Sequence, residues 1–142
     1  MRFWDSSAIV PLLVTEGRSA AMADLLREDR DLVVWWGTGI ECLSALRRRE
    51  RQGLLSVAEA DEATAILDDL GEAWIEVQPK DEVRNRASRA LAVHTLRAAD
   101  SLQLAAALAW RPVPTREARF ISLDGRLAEA AHREGFGAAL PL

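Results

Sequence analysis

The sequence predicts a single α/β domain, residues 1–142, with a mainly parallel sheet of four to five strands flanked by helices on both faces. Short apolar runs of strand length alternate with longer segments of helical periodicity, an order typical of parallel sheets. The run at residues 32–36 is apolar throughout, as expected of a strand buried on both faces. A chain of 142 residues, 49% of them hydrophobic, suits one domain with one core.

The predicted elements follow the order β-αα-β-αα-β-αα-β-α-β. The strands are predicted at residues 2–5, 32–36, 73–77, 119–123 and 138–140. The helices are predicted at residues 8–13, 19–30, 40–52, 57–70, 80–94, 100–110 and 125–134. The predicted N-caps, whose hydroxyls can accept hydrogen bonds from helix amides, are Ser6, Ser7, Thr38 and Ser56. Right-handed crossovers bring the carboxyl ends of all strands to one edge of the sheet.

The segment at residues 102–110 consists almost entirely of Ala and Leu, so we expect this helix to run through the interior. Asp100 precedes it, where a carboxylate can cap helix amides, and a cap is one interpretation of this residue. The other interpretation is that Asp100 belongs to a ligand-binding site together with Asp5, Glu41 and Asp124. Each of these three acids follows an apolar run and precedes a helical segment. In an open α/β sheet such positions converge on one crevice, where ligands bind.

Four carboxylates in one crevice repel one another unless a cation is present. Their hard oxygen atoms suit Mg²⁺ or Mn²⁺, whereas a single cysteine and two histidines without ligand spacing argue against zinc. Such ions can activate water and stabilise both the attacking and the leaving oxygens of a phosphodiester. Ser6, Gln103 and Ser122 are candidates to hold metal-bound waters. Their alternative roles are helix cap, ordinary helix residue and strand-end residue.

Arg48 is predicted to lie on the same helix face as Glu41, Ser44 and Ala45, two turns and about 10 Å from Glu41 along the axis. One interpretation is that Arg48 binds a substrate phosphate, because guanidinium groups bind phosphate oxygens bidentately. The alternative is a solvated helix end, at which positive charge is favoured by the helix dipole.

Composition and missing motifs exclude several classes of function. A net charge of −4 argues against a general polyanion-binding protein. Neither G-x-x-x-x-G-K-[ST], G-x-G-x-x-G nor G-x-S-x-G occurs, which disfavours ATP or NAD binding and a hydrolase elbow. Asp5 is followed by two serines rather than by x-Asp, which disfavours dehalogenase-type phosphatases. A phosphotransfer receiver needs paired acids near the first strand and a late lysine, whereas the one lysine here, Lys80, lies mid-chain. No signal peptide or membrane-spanning run is visible, so we expect a cytoplasmic protein without membrane contact.

Four blocks of the sequence resemble the signature blocks of PIN domains, and they are most similar to those of the VapC-type toxins of bacterial toxin–antitoxin pairs. The blocks are residues 3–8 (FWDSSA), 41–46 (ECLSAL), 96–105 (LRAADSLQLA) and 120–128 (FISLDGRLA). They occur in the family order and cover nearly the whole chain. The resemblance implies a metal-dependent endoribonuclease that cleaves an RNA substrate, usually forms a homodimer and is held inactive by a cognate antitoxin protein.

The resemblance also implies that Asp5, Glu41, Asp100 and Asp124 form the acidic Mg²⁺ or Mn²⁺ site. Trp4 departs from the family, which usually has an aliphatic residue before the first Asp, and the fourth acid is the one that varies most. One alternative is a catalytically silent PIN-like module that binds RNA or protein. Another is a purely structural partner-binding protein, which the lack of any divalent-ion effect on stability would favour.

Overall fold

The structure, a computed structural model, describes residues 1–138, which contain five strands and seven helices in the predicted order. The strands are β1 (Arg2–Trp4), β2 (Leu32–Trp35), β3 (Ile75–Val77), β4 (Arg119–Ile121) and β5 (Gly137–Ala138). The helices are α1 (Ser6–Leu13), α2 (Ser19–Glu28), α3 (Thr38–Arg51), α4 (Val57–Ala73), α5 (Asp81–Val93), α6 (Ala98–Trp110) and α7 (Gly125–Glu134). The predicted α/β class is confirmed.

The five strands form one parallel sheet in the order β3-β2-β1-β4-β5. Strand β1 lies at the centre, where Phe3 is in register with Val33 on one side and with Phe120 on the other. Because every strand runs in the same direction, the loops that follow β1, β2 and β4 all open at the carboxyl edge of the sheet.

Successive side chains of the central strands point to opposite faces, and each face is covered by helices. Phe3 belongs to the cluster that contains apolar residues of α5, α6 and α7, whereas Trp4 belongs to the cluster with α1 to α4. Helix α6 runs through the first cluster, as predicted from its Ala and Leu content, and Leu104 is fully buried. No helix within residues 1–138 is long and apolar enough to cross a bilayer.

Three predicted helix caps are wrong because the helices begin earlier than the sequence suggested. Helix α1 begins at Ser6, so Ser6 and Ser7 lie in its first turn. Helix α3 begins at Thr38, whose hydroxyl accepts a hydrogen bond from Gln103 Nε2 at 3.0 Å and caps nothing. The N-cap of α6 is Arg97, which places Asp100 inside the first turn and removes its interpretation as an N-cap.

Helix α4 confirms one predicted cap but ends later than predicted. The Ser56 hydroxyl accepts from the Glu59 amide at 3.1 Å, and the Glu59 carboxylate accepts from the Ser56 amide at 3.0 Å. The helix continues through Gly71 to Ala73, so β3 begins two residues later than predicted. Of the strand predicted at residues 138–140, the last two residues lie outside the described part of the chain.

Candidate functional site

The four acids predicted from the sequence line one pocket of about 670 Å³ at the carboxyl edge of the sheet. Asp5 follows β1 directly, and Glu41 lies in the first turn of α3, which follows β2. Asp100 lies in the first turn of α6, and Asp124 occupies the N-cap of α7, after β4. Each of four separate segments therefore places one carboxylate in the same pocket.

Asp5 is the most buried of the four acids, with 3% of its surface exposed. Its Oδ2 accepts hydrogen bonds from the hydroxyls of Ser7 and, at 2.9 Å, Ser122. Each hydroxyl in turn accepts a backbone amide hydrogen, from Leu123 for Ser7 (2.9 Å) and from Asp124 for Ser122 (3.0 Å). The amides after β4 therefore orient two serines, which hold the carboxylate that follows β1.

Burial raises the pKa of Asp5 above its usual value, because water no longer solvates the charged form. The hydrogen bonds from Ser7 and Ser122 oppose this shift, and the negative charge of Asp100 adds to it. No basic side chain of residues 1–138 forms an ion pair with Asp5. The protein therefore buries this carboxylate among hydroxyl donors without a positive charge of its own.

Glu41 is held by Gln103, a fully buried residue of α6 whose Nε2 donates to Glu41 Oε2 and to the Thr38 hydroxyl. Partial burial raises the pKa of Glu41 to about 7, opposed by the hydrogen bond from Gln103 and reinforced by the charge of Asp5. Ser6 contacts both acids, since its hydroxyl lies 3.4 Å from Asp5 Oδ1 and also lowers the pKa of Glu41.

Asp100 and Asp124 are the other two acids of the pocket. Burial raises the pKa of Asp100, and the nearby charge of Asp124 raises it further. One oxygen of Asp124, Oδ1, accepts from the amides of Arg126 at 3.0 Å and Leu127 at 3.1 Å. Asp124 is therefore a true helix cap as well as a pocket residue, and half of its carboxylate is engaged in the cap.

Arg48 lies on the pocket wall together with Glu41, Ser44 and Ala45, so the predicted helix face is the one that the pocket exposes. Its role toward phosphate stays a prediction. Arg49 also lines the pocket, and its guanidinium pairs with Glu16 at 3.1 Å. Local sequence does not predict the pairing of Arg49 with Glu16, because the contact joins α3 to the loop after α1.

The donor set suits a hard divalent cation, although the pocket is not a closed cage. Within residues 1–138, no group of three or more His, Cys, Asp or Glu side chains is arranged so that it could hold a metal ion. Mg²⁺ commonly binds through one or two carboxylates and keeps several waters, which such a pocket can accommodate. The buried Oε1 of Gln103 has no protein partner among the described residues, and it is an acceptor suited to a metal-bound water.

Ser7, which the sequence predicts only as a helix cap, instead donates its hydroxyl hydrogen to Asp5 and belongs to the site. The available signal was its position two residues after Asp5, from which a hydroxyl can reach back to the carboxylate. Cys42 is buried, and burial raises the pKa of its thiol to about 12. Trp35 faces the interior, while its neighbour Trp36 is 54% exposed.

The comparisons with known proteins address the fold alone. No protein-family model matches the chain, and no curated protein sequence matches it. Among solved structures, the chain is similar to the crystal structure of PAE2754 from Pyrobaculum aerophilum, with a TM-score of 0.62 and 19% sequence identity. The match covers 96% of this chain and 82% of that chain, so the two share a fold.

The raised pKa values predict that the metal-free protein loses stability as the pH rises. Between pH 4.5 and about 7, native Glu41 retains a proton that the unfolded chain releases, so the free energy of unfolding falls across this window. We expect Glu41→Gln to flatten this fall. The change should stay below the ~1.4 kcal/mol per pH unit of one full proton, because solvent screens the partly exposed carboxylate. Urea unfolding at a series of pH values measures it.

The matched control is Glu62→Gln, which removes an exposed carboxylate of α4 outside the pocket. Its stability should follow the same pH dependence as the wild type. If Glu41→Gln also ran parallel to the wild type from pH 4.5 to 7, Glu41 would not carry a raised pKa.

Proposed function

We propose that the chain is a metal-dependent endoribonuclease of the PIN type, acting as the toxin of a toxin–antitoxin pair. The observation that carries the proposal is the convergence of Asp5, Glu41, Asp100 and Asp124 on one pocket, with Asp5 buried and unpaired with any described basic group. The sequence blocks that resemble PIN domains contain all four acids. A Mg²⁺ or Mn²⁺ ion, when bound, would lower the pKa of a coordinated water and stabilise negative charge on the phosphodiester.

The residues of the chain would position this chemistry. Asp5 would be a rigid ligand, because two serine hydroxyls fix one of its oxygens. Glu41 would be held on the opposite wall by Gln103. Arg48, which lies two turns after Glu41 on α3, would bind a phosphate oxygen of the RNA. Water can reach the pocket, which opens to solvent at the carboxyl edge of the sheet.

The second candidate function is a catalytically silent PIN-like module that binds RNA or protein. One observation favours it, namely that no three acidic, His or Cys side chains of residues 1–138 are arranged to hold a metal ion. The two functions differ in whether the four acids must bind a cation. A silent module needs no cation at the pocket, whereas the nuclease loses activity when any ligand is removed.

Asp100→Asn separates the two functions. The substitution keeps the size of the side chain and removes one negative charge, so the metal-free protein should melt at a higher temperature because repulsion with Asp124 is relieved. Cleavage of RNA in Mn²⁺ should fall by orders of magnitude, since the ion loses a ligand. The rise in melting temperature that Mn²⁺ causes in the wild type should shrink for the same reason. Thermal melts and RNA cleavage assays with and without Mn²⁺ give all three results.

The matched control is Asp69→Asn, an exposed acid of α4 outside the pocket, which should change none of the three measurements. Wild-type cleavage by Asp100→Asn would remove Asp100 from the site. A wild-type melting temperature that does not move at millimolar Mn²⁺ would favour the silent module.

The proposed protein partners are a second copy of the chain and a cognate antitoxin, and they rest chiefly on the resemblance to VapC-type toxins. An apolar groove of about 690 Å³ beside the acidic pocket supports an antitoxin helix as ligand, since such helices bind through an apolar face. Trp36, Leu43 and Trp74 line this groove, and the exposed Ile40 lines both the groove and the pocket. A basic antitoxin side chain could therefore reach the acids from the groove.

Expression in a bacterial host tests the toxin proposal. The wild-type chain alone should slow growth, and co-expression with the protein encoded by the neighbouring gene should restore it. The Asp100→Asn variant should be harmless at equal protein level, because the effect depends on cleavage. Normal growth with abundant folded wild-type protein would contradict the toxin assignment.

A further inference from the structure

A second depression adjoins the acidic pocket and is lined by two arginines. Its volume is about 820 Å³, and it shares Asp100 and Asp124 with the acidic pocket, so these two acids form the boundary between the depressions. Arg97 and Arg126 line only the second depression, whereas Arg48 lines only the first. Arginines therefore line both of the depressions that meet at Asp100 and Asp124.

Both arginines lie at helix N-termini, where the helix dipole disfavours positive charge. Arg97 is the N-cap of α6 and Arg126 lies in the first turn of α7, and the positive end of a helix dipole repels a cation. Both side chains are exposed, and neither guanidinium forms an ion pair with any described residue, although Asp100 and Asp124 line the same depression. Arg97 is close enough to Asp100 for the two charges to attract each other, but neither guanidinium lies within ion-pair distance of an acid, so both keep their donors free for a further anion.

A chain of phosphates matches this arrangement. Guanidinium groups bind phosphate oxygens bidentately, and successive phosphates of one RNA strand can contact basic groups on both sides of an acidic centre. We propose that Arg97 and Arg126 bind the RNA phosphate that neighbours the cleaved one, on the far side of the acids from Arg48. The proposal rests on the proposed nuclease function and adds the path of the substrate across the site. The exposed hydroxyl of Thr95 lines the same depression and is a further donor.

The test measures RNA binding without cleavage, in protein that carries Glu41→Gln to suppress the reaction. The probe is a fluorescent single-stranded RNA of random sequence, and its Kd is measured by anisotropy over a range of salt concentrations. Replacing both Arg97 and Arg126 with Ala should weaken binding about tenfold per arginine. The slope of log Kd against log salt should fall by about 0.7, because the two arginines together contact one phosphate and each phosphate contact with a single strand contributes about 0.7.

Three further variants calibrate the measurement. Arg48→Ala should lower the slope by about 0.7. Arg84→Ala, an exposed arginine of α5 outside both depressions, should change nothing. Arg126→Lys should keep the salt slope of the parent and lose part of its affinity, because lysine retains the charge but not the bidentate geometry. The double Ala variant should melt no lower than its parent, since it removes two cations from helix N-termini.

The outcomes separate this proposal from the function on which it rests. If the double Ala variant binds with the slope and Kd of its parent while Arg48→Ala loses affinity, Arg97 and Arg126 do not contact the RNA and the proposal is overturned. If the parent binds no RNA and the wild-type protein cleaves none, the nuclease function fails and the proposal fails with it.

Discussion

The site is governed by the cost of burying the carboxylate of Asp5 next to three other acids. A buried carboxylate is stable only if it is hydrogen-bonded, paired with a cation or protonated. Within residues 1–138, the hydroxyls of Ser6, Ser7 and Ser122 donate to this carboxylate, and no basic side chain pairs with it. The pKa of Asp5 and of its neighbours Glu41 and Asp100 is raised as a result, chiefly by burial. A divalent cation would offset both the cost of burying the charge and the mutual repulsion of the acids, which is the physical reason for our proposal that the pocket binds a metal ion.

The same polar contacts also join the layers of the fold at the carboxyl edge. Gln103 belongs to α6 on one face of the sheet, and it donates to Thr38 and Glu41 of α3 on the other face. The serine contacts connect the end of β1 to the loop that follows β4. The acids are thus held by bonds between elements distant in sequence, so their positions depend on the assembled sheet.

The order of elements, the parallel sheet, the buried α6 and the meeting of the four acids were all predictable from the sequence. Apolar runs and helical periodicity report burial, and the carboxyl ends of parallel strands must share one edge. The details of the helix starts were not predictable, because Ser7 and Thr38 bond to distant groups instead of their own helices. The ion pair of Arg49 with Glu16 depends on how α3 packs against the loop after α1, which local sequence does not encode.

The most direct measurement of the central claim counts the protons released when Mn²⁺ binds. Calorimetric titration in two buffers of different ionisation enthalpy gives this number, because metal ligands must be deprotonated. With the pKa of Glu41 at about 7 in the metal-free protein, binding near pH 6.5 should release protons, and the release should decline toward pH 8. Glu41→Gln should release fewer protons at pH 6.5. Absence of binding heat in both buffers at millimolar Mn²⁺, or binding without proton release at pH 6.5, would contradict the account.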